Sequence, residues 1–118
     1  MARKPGWDVD NLPEAAFFIL LALRQTRHGY SIMQFLEERT AGLVVIGPAS
    51  LYTTLKKLVD AGLIEEVAPA DDRTGERRRS YCMTAQGKAA AANNLKRRQQ
   101  LVTAADKMLN DKNGDTNV

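Results

Sequence analysis

The sequence is poor in the residues on which most active-site chemistry is built. It contains one cysteine, Cys82, and one histidine, His28. A lone cysteine excludes an intramolecular disulfide and any multi-cysteine zinc site. His28 and Cys82 stand far apart, so they offer weak grounds for metal sensing, and Cys82 reads as a small strand residue. No HExxH pair and no glycine-rich phosphate loop occurs, which leaves metalloprotease and nucleotide-dependent chemistry without a foothold. Scattered carboxylates with no partner nucleophile form no catalytic constellation. Neither an enzyme nor a cofactor or metal is therefore expected. Long apolar runs are missing too. The longest, Ala15 to Leu23, falls well short of the ~20 residues of a membrane span. Before it, Arg3 and Lys4 are balanced by Asp8 and Asp10, unlike the basic start of a secretory signal. The expectation is a cytoplasmic chain with no membrane partner.

What is present suits one soluble domain. The chain has 118 residues, 44% hydrophobic and 26% charged, enough for a single core. The net charge is only +3, yet it is unevenly placed. Between residues 73 and 98 stand Arg73, Arg77, Arg78, Arg79, Lys88, Lys96, Arg97 and Arg98 against one acid, Glu76. A local basic excess suits a polyanion such as DNA; it also suits a merely solvated helix face.

Residues 1–10 read as a loose N-terminal arm, in which Trp7 is unexpected. Asn11, Pro13 and Glu14 carry the composition of a helix start with a capping box. The following Phe17, Phe18, Ile19, Leu20, Leu21 and Leu23 make a helix apolar on most sides, ended by His28-Gly29. Such a helix needs wide cover, from the core and from another subunit. A second helix is expected over Tyr30 to Thr40, stopped by Gly42, then a short extended segment over Leu43 to Ile46. Gly47-Pro48 opens a third helix, with Leu51, Leu55 and Leu58 as its buried stripe and Gly62 at its end. Leu63 to Val67 and Ser80 to Met83 read as a hairpin around a polar loop rich in arginine. Thr84 caps a last helix of about 27 residues, ~40 Å at 1.5 Å per residue. Residues 113–118 form a polar tail expected to be disordered. The expected fold is mainly α with a small β-hairpin: a winged helix-turn-helix over residues 11–83, followed by a long C-terminal dimerisation helix over residues 84–112.

The third helix carries the densest signal. Opposite its leucine stripe lie Ala49, Thr53 and Lys56, with Ser50, Tyr52 and Lys57 on the flanks. Short polar side chains and cations opposite an apolar anchor suit insertion into the major groove, which is about 12 Å wide. The preceding helix braces it as in a helix-turn-helix. Arg73, Arg77 and Arg78 in the hairpin loop are placed to reach phosphates, which fix register while base edges supply specificity. Tyr52 is suited to a phosphate or to half-buried packing. Tyr30, at the start of the second helix, joins a hydroxyl to a helix N-terminus for one phosphate, or packs. Arg79 alternatively pairs with Glu65 or Glu66 across the hairpin.

The segment Ser50-Leu51-Tyr52-Thr53-Thr54-Leu55-Lys56-Lys57-Leu58, with Ala61-Gly62-Leu63-Ile64 after it, resembles the signature of the PadR family of bacterial transcriptional regulators. His28-Gly29-Tyr30 is similar to the start of that family's second helix. Gly75-Glu76-Arg77-Arg78-Arg79-Ser80-Tyr81 is similar to its basic wing and following strand, and Thr84 and Gly87 to the opening of its last helix. The short C-terminus, a single helix, resembles the smaller subfamily. The resemblance implies a DNA-binding repressor and a homodimer in which the last helix packs on the first helix and on the partner. The sequence itself also asks for a dimer. Leu95, Val102 and Leu109 repeat every seven residues with Leu101, Ala105 and Met108 beside them, and Phe17 is expected to join that interface. The alternative is a helix folded back on its own monomer.

Phe17, Phe18, Leu21, Arg98 and Val102 are candidates to line an apolar cavity at the dimer centre, with Trp7 as a lid. Some drug-binding members of the resembled subfamily carry a stacking tryptophan midway along the last helix; here Arg98 stands at the comparable position. That favours an anionic or partly polar aromatic ligand, or a closed interface with no ligand. The expected function is repression of a sequence-specific operator, released by such a ligand. The alternative is a winged-helix protein-interaction module without DNA binding. It is disfavoured because a protein-binding surface would usually show apolar anchors on the third helix.

Overall fold

Leu51, Leu55 and Leu58 recur three and four positions apart. In the computed structural model they form the buried ridge of a helix, α3 (Pro48–Asp60), each at most 1% exposed. The structure describes residues 7–67 and 79–111. Around α3 stand α1 (Glu14–Ala22), β1 (Arg27–His28), α2 (Gly29–Arg39), β2 (Ile64–Val67), β3 (Ser80–Met83) and α4 (Ala85–Asn110). This is the expected mainly helical winged-helix arrangement. α1 is the central element, packed against α2, α3 and α4. Its Ile19 and Leu20, with Leu23 just beyond, have no exposed surface, so this mostly apolar helix is largely covered within one protomer.

Several local expectations are corrected. No side chain caps α1, and Pro13 is its N-cap residue. The Asn11 amide instead donates to the Asp8 carbonyl at 2.9 Å, which folds residues 8–11 into a turn. The helix stops at Ala22, before His28. Arg27 and His28 form a strand that pairs antiparallel with β3 (Arg27↔Tyr81, His28↔Ser80). The hairpin is therefore part of a three-stranded sheet, order β1-β3-β2. Residues 43–46 alternate in burial, with Val44 and Ile46 buried and Leu43 and Val45 exposed, but they form no strand and join no sheet. The Val44 amide donates to Thr40 Oγ1 at 2.9 Å.

Other boundaries fall where the local chemistry places them. Gly62 takes φ +79° just after α3, a left-handed conformation that glycine adopts without steric penalty. Thr84 caps α4, accepting from the Gly87 amide at 3.0 Å, and its hydroxyl donates to the Gly62 carbonyl at 2.8 Å. A methyl group at position 87 would run into the Leu63 carbonyl, so α4 needs glycine where it leaves the sheet. Gly87, Ala90, Ala91 and Asn94 make up the buried face of α4. From residue 99 onward every described residue of the chain is exposed. Among the described residues no helix is long and apolar enough to cross a membrane.

Candidate nucleic-acid interface

The side of α3 opposite its leucine ridge is open. Ala49, Ser50, Tyr52, Thr53, Lys56 and Lys57 are all exposed, as their spacing predicts. Gly47 is the N-cap residue and no side chain caps the helix, which leaves its first-turn amides open to an anion. Lys56 Nζ lies 3.6 Å from Asp60 Oδ2, with both side chains mostly exposed. Such a pair contributes little stability and gives way readily to a stronger anion.

Tyr52 is half-packed, one of the two alternatives that its position suggested. Its ring lies over Gly29, where an added methyl group would meet the phenol hydroxyl and ring, yet it remains 50% exposed. The missing side chain of Gly29 is thus the notch that seats Tyr52 against the start of α2. Tyr30 is 60% exposed, and its hydroxyl accepts from Gln34 Nε2 at 3.4 Å. Both tyrosines therefore belong to the N-terminal end of α2, which has no side-chain cap either. The Tyr52 hydroxyl at Gly29, beside an uncapped helix N-terminus, suits a phosphate oxygen.

At the hairpin, Arg79 Nε lies 3.7 Å from Glu66 Oε2, the cross-strand pairing expected, with Glu66 as the partner. Glu65 instead faces Cys82, with Sγ 4.0 Å from its Oε2. Arg73, Arg77 and Arg78 lie outside the described residues, as does the tail expected over residues 113–118.

The structure brings together only part of the expected ligand set. Phe17 is 2% exposed and lies under the Arg98 guanidinium, 4.5 Å from its ring centroid. It is thus buried inside the protomer and not offered to a partner or to a cavity. Arg98 is already engaged, donating to the Leu12 carbonyl at 2.8 Å and to Asn94 Oδ1 at 3.2 Å. The Trp7 ring stands beside α3, with Lys57 Nζ 5.6 Å from the centroid, and the residues that follow it are tied to α4 by side-chain hydrogen bonds. Phe18 and Leu21 are half-buried and Val102 is exposed. The heptad side of α4 is left exposed in the protomer: Leu95 is 49%, Leu101 51%, Val102 68%, Met108 74% and Leu109 80% exposed, and Ala105 is exposed among them.

The residue that sequence reasoning missed is Asn94. It has no exposed surface and uses both ends of its amide. Oδ1 accepts from the Leu12 amide at 2.8 Å, and Nδ2 donates to the Val9 and Ala90 carbonyls at 2.8 and 2.7 Å. Its signal was an asparagine at helical spacing from Gly87, Ala90 and Ala91, a polar group on an otherwise small and apolar face.

Known proteins share this geometry. No curated protein matches the sequence. Among solved structures, a transcriptional regulator from Clostridium thermocellum is 22% identical, with a TM-score of 0.69 over 79% of this chain and 87% of that one. A PadR family regulator from Eggerthella lenta is 20% identical, with a TM-score of 0.72 over 80% of each chain. Bacillus subtilis PadR, solved in complex with operator DNA, is 26% identical with a TM-score of 0.63; the match covers 70% of this chain and 48% of that protein. The profile of the transcriptional regulator PadR-like family matches residues 19–93, from within α1 into α4. The chain belongs to the PadR-like family, a family of transcriptional regulators and not of enzymes.

Proposed function

We propose that this protein is a homodimeric repressor that places one α3 per subunit in the major groove of its operator. The observation that carries this reading is the division of α3. Its leucines are buried to the last few per cent, while its opposite face offers small, polar and cationic side chains and one carboxylate, Asp60, paired with Lys56, with Tyr52 at the edge. A similarly folded protein, Bacillus subtilis PadR, has been solved on operator DNA, which supports the same use of the fold here. Tyr30, Tyr52 and the N-terminus of α2 hold a phosphate, and Ala49, Ser50, Thr53 and Lys56 meet base edges. Lys57, with Arg73, Arg77 and Arg78 of the hairpin loop, contacts the backbone.

Dimerisation follows from the uncovered part of α4. A short helix is marginal in water without tertiary packing, and every described residue after Arg98 is exposed in the protomer. A second copy related by a two-fold axis covers the heptad positions and the half-buried Phe18 and Leu21. Any releasing ligand binds at that centre and meets Phe18, Leu21 and Val102, while Arg98 stays on Phe17. It releases DNA only to the extent that it prefers the spacing of the two α3 helices that DNA does not accept.

The roles of helix and loop separate experimentally. Arg77→Ala and Arg78→Ala weaken binding to all sequences alike and lower the salt slope by about one unit for each phosphate no longer neutralised. Thr53→Ala and Lys56→Ala change the preferred base at one position per half-site. Titrations over a salt series on duplexes substituted one base pair at a time read both effects. Loop variants that alter base preference and leave the slope unchanged would reverse the assignment.

A further inference from the structure

We propose that Trp7 is a positioning residue for DNA binding: its ring, held by a strap clamped to α4, fixes the Lys57 ammonium on the flank of α3 for a backbone phosphate. The proposal rests on the DNA-binding reading above and adds to it a residue outside the helix-turn-helix.

The strap is a built element. Residues 8–11 close a turn through the Asn11 amide on the Asp8 carbonyl and the Asp10 amide on Asp8 Oδ1 at 3.0 Å. Three side chains of α4 then hold it. Asn94 takes the Leu12 amide and the Val9 carbonyl, Arg98 takes the Leu12 carbonyl, and Asn93 Nδ2 donates to Asp10 Oδ1 at 3.0 Å. Leu12 is 2% exposed. With one end pinned this way, the other end delivers the half-buried Trp7 to α3.

Lys57 is the cation that this ring meets. Its neighbour Lys56 pairs with Asp60, whereas Lys57 has no carboxylate partner among the described residues. An aromatic face within about 6 Å attracts an ammonium but does not neutralise its charge, and it leaves part of its three N–H donors for another acceptor. It therefore orders a flexible side chain without competing with a phosphate for it. The placement also balances the helix. Tyr52 and Lys57 lie five positions apart, about 140° around α3, and Thr53 and Lys56 fall between them. One flank is seated on Gly29 of α2 and the other is braced by Trp7.

The test is a double-mutant cycle on a mixed-sequence duplex, titrated over a salt series. Lys57→Ala lowers the salt slope by about 0.9, the value for one neutralised phosphate. Trp7→Leu, which keeps apolar bulk but has no aromatic face, reproduces at least half of that drop, and Trp7→Phe retains the wild-type slope. The Trp7→Leu/Lys57→Ala double variant binds no more weakly than Lys57→Ala alone. Equal behaviour of the Leu and Phe variants, or losses that multiply in the double variant, would overturn the role of Trp7 and leave DNA binding intact. A wild-type protein that does not bind the duplex would overturn the DNA-binding reading, and this proposal with it.

Discussion

Replacing both Leu101 and Val102 with glutamate yields monomers that have lost tight operator binding. Both side chains are exposed in the protomer, at 51% and 68%, so the protomer core gains no buried charge from the change. In a two-fold dimer each substitution counts twice and brings carboxylates together inside an apolar seam, where unpaired charge is strongly disfavoured. Each monomer then grips one half-site, and the avidity of linked binding, typically about 10²–10⁴-fold, disappears. Sedimentation velocity of wild type and variant, paired with DNA titration, checks both parts. A wild-type protein that sediments as a folded monomer at micromolar concentration would remove the dimer from the account.

Asn94→Ala is the second large effect, and it acts on folding. The substitution leaves the buried Leu12 amide and Val9 carbonyl without partners and takes one acceptor from Arg98. Leaving a buried polar group unpaired costs about 1–3 kcal/mol, so a loss of ~3 kcal/mol is expected for the set. A domain near 100 residues shifts by about 4–8 °C per kcal/mol, which puts the melting temperature at least ~10 °C lower. Wild type and variant must be melted at equal protein concentration, because dimerisation makes the midpoint concentration-dependent. Asn94→Asp keeps the acceptor for Leu12 and Arg98 but turns its second oxygen on the Val9 and Ala90 carbonyls, so at neutral pH it is destabilised at least as much as the alanine variant. A change of only a degree or two in Asn94→Ala would mean that the strap is not anchored as described.

Elements that declare themselves by spacing were legible in the sequence. The leucine stripe of α3, the Thr84 cap, the hairpin strands and the exposed heptad of α4 each follow from local periodicity or capping chemistry, and each stands where expected. Features that depend on distant partners were hidden. Two residues are too few to show alternation, so β1 became visible only through its pairing with Tyr81 and Ser80. Asn11, Pro13 and Glu14 have the composition of a capping box, but the Asn11 amide is drawn into the Asp8 turn. Arg98 carries a charge, and its sequence position left open whether it meets an anionic ligand or closes the cavity. Its partners, Leu12 and the Phe17 ring, lie more than 80 residues away, and no local pattern points to them. The open face of α3 was legible because it is set within one helix. The seat of Tyr52 on Gly29 and the approach of Trp7 to Lys57 required the tertiary fold.

The central claim, a two-fold dimer reading DNA with two α3 helices, is tested most directly by selecting bound duplexes from a fully random library with the wild-type protein. The account predicts enrichment of a pseudo-palindrome whose half-sites are one helical turn apart, ~34 Å between centres. Failure to enrich any sequence, or enrichment of a single asymmetric half-site, would contradict it.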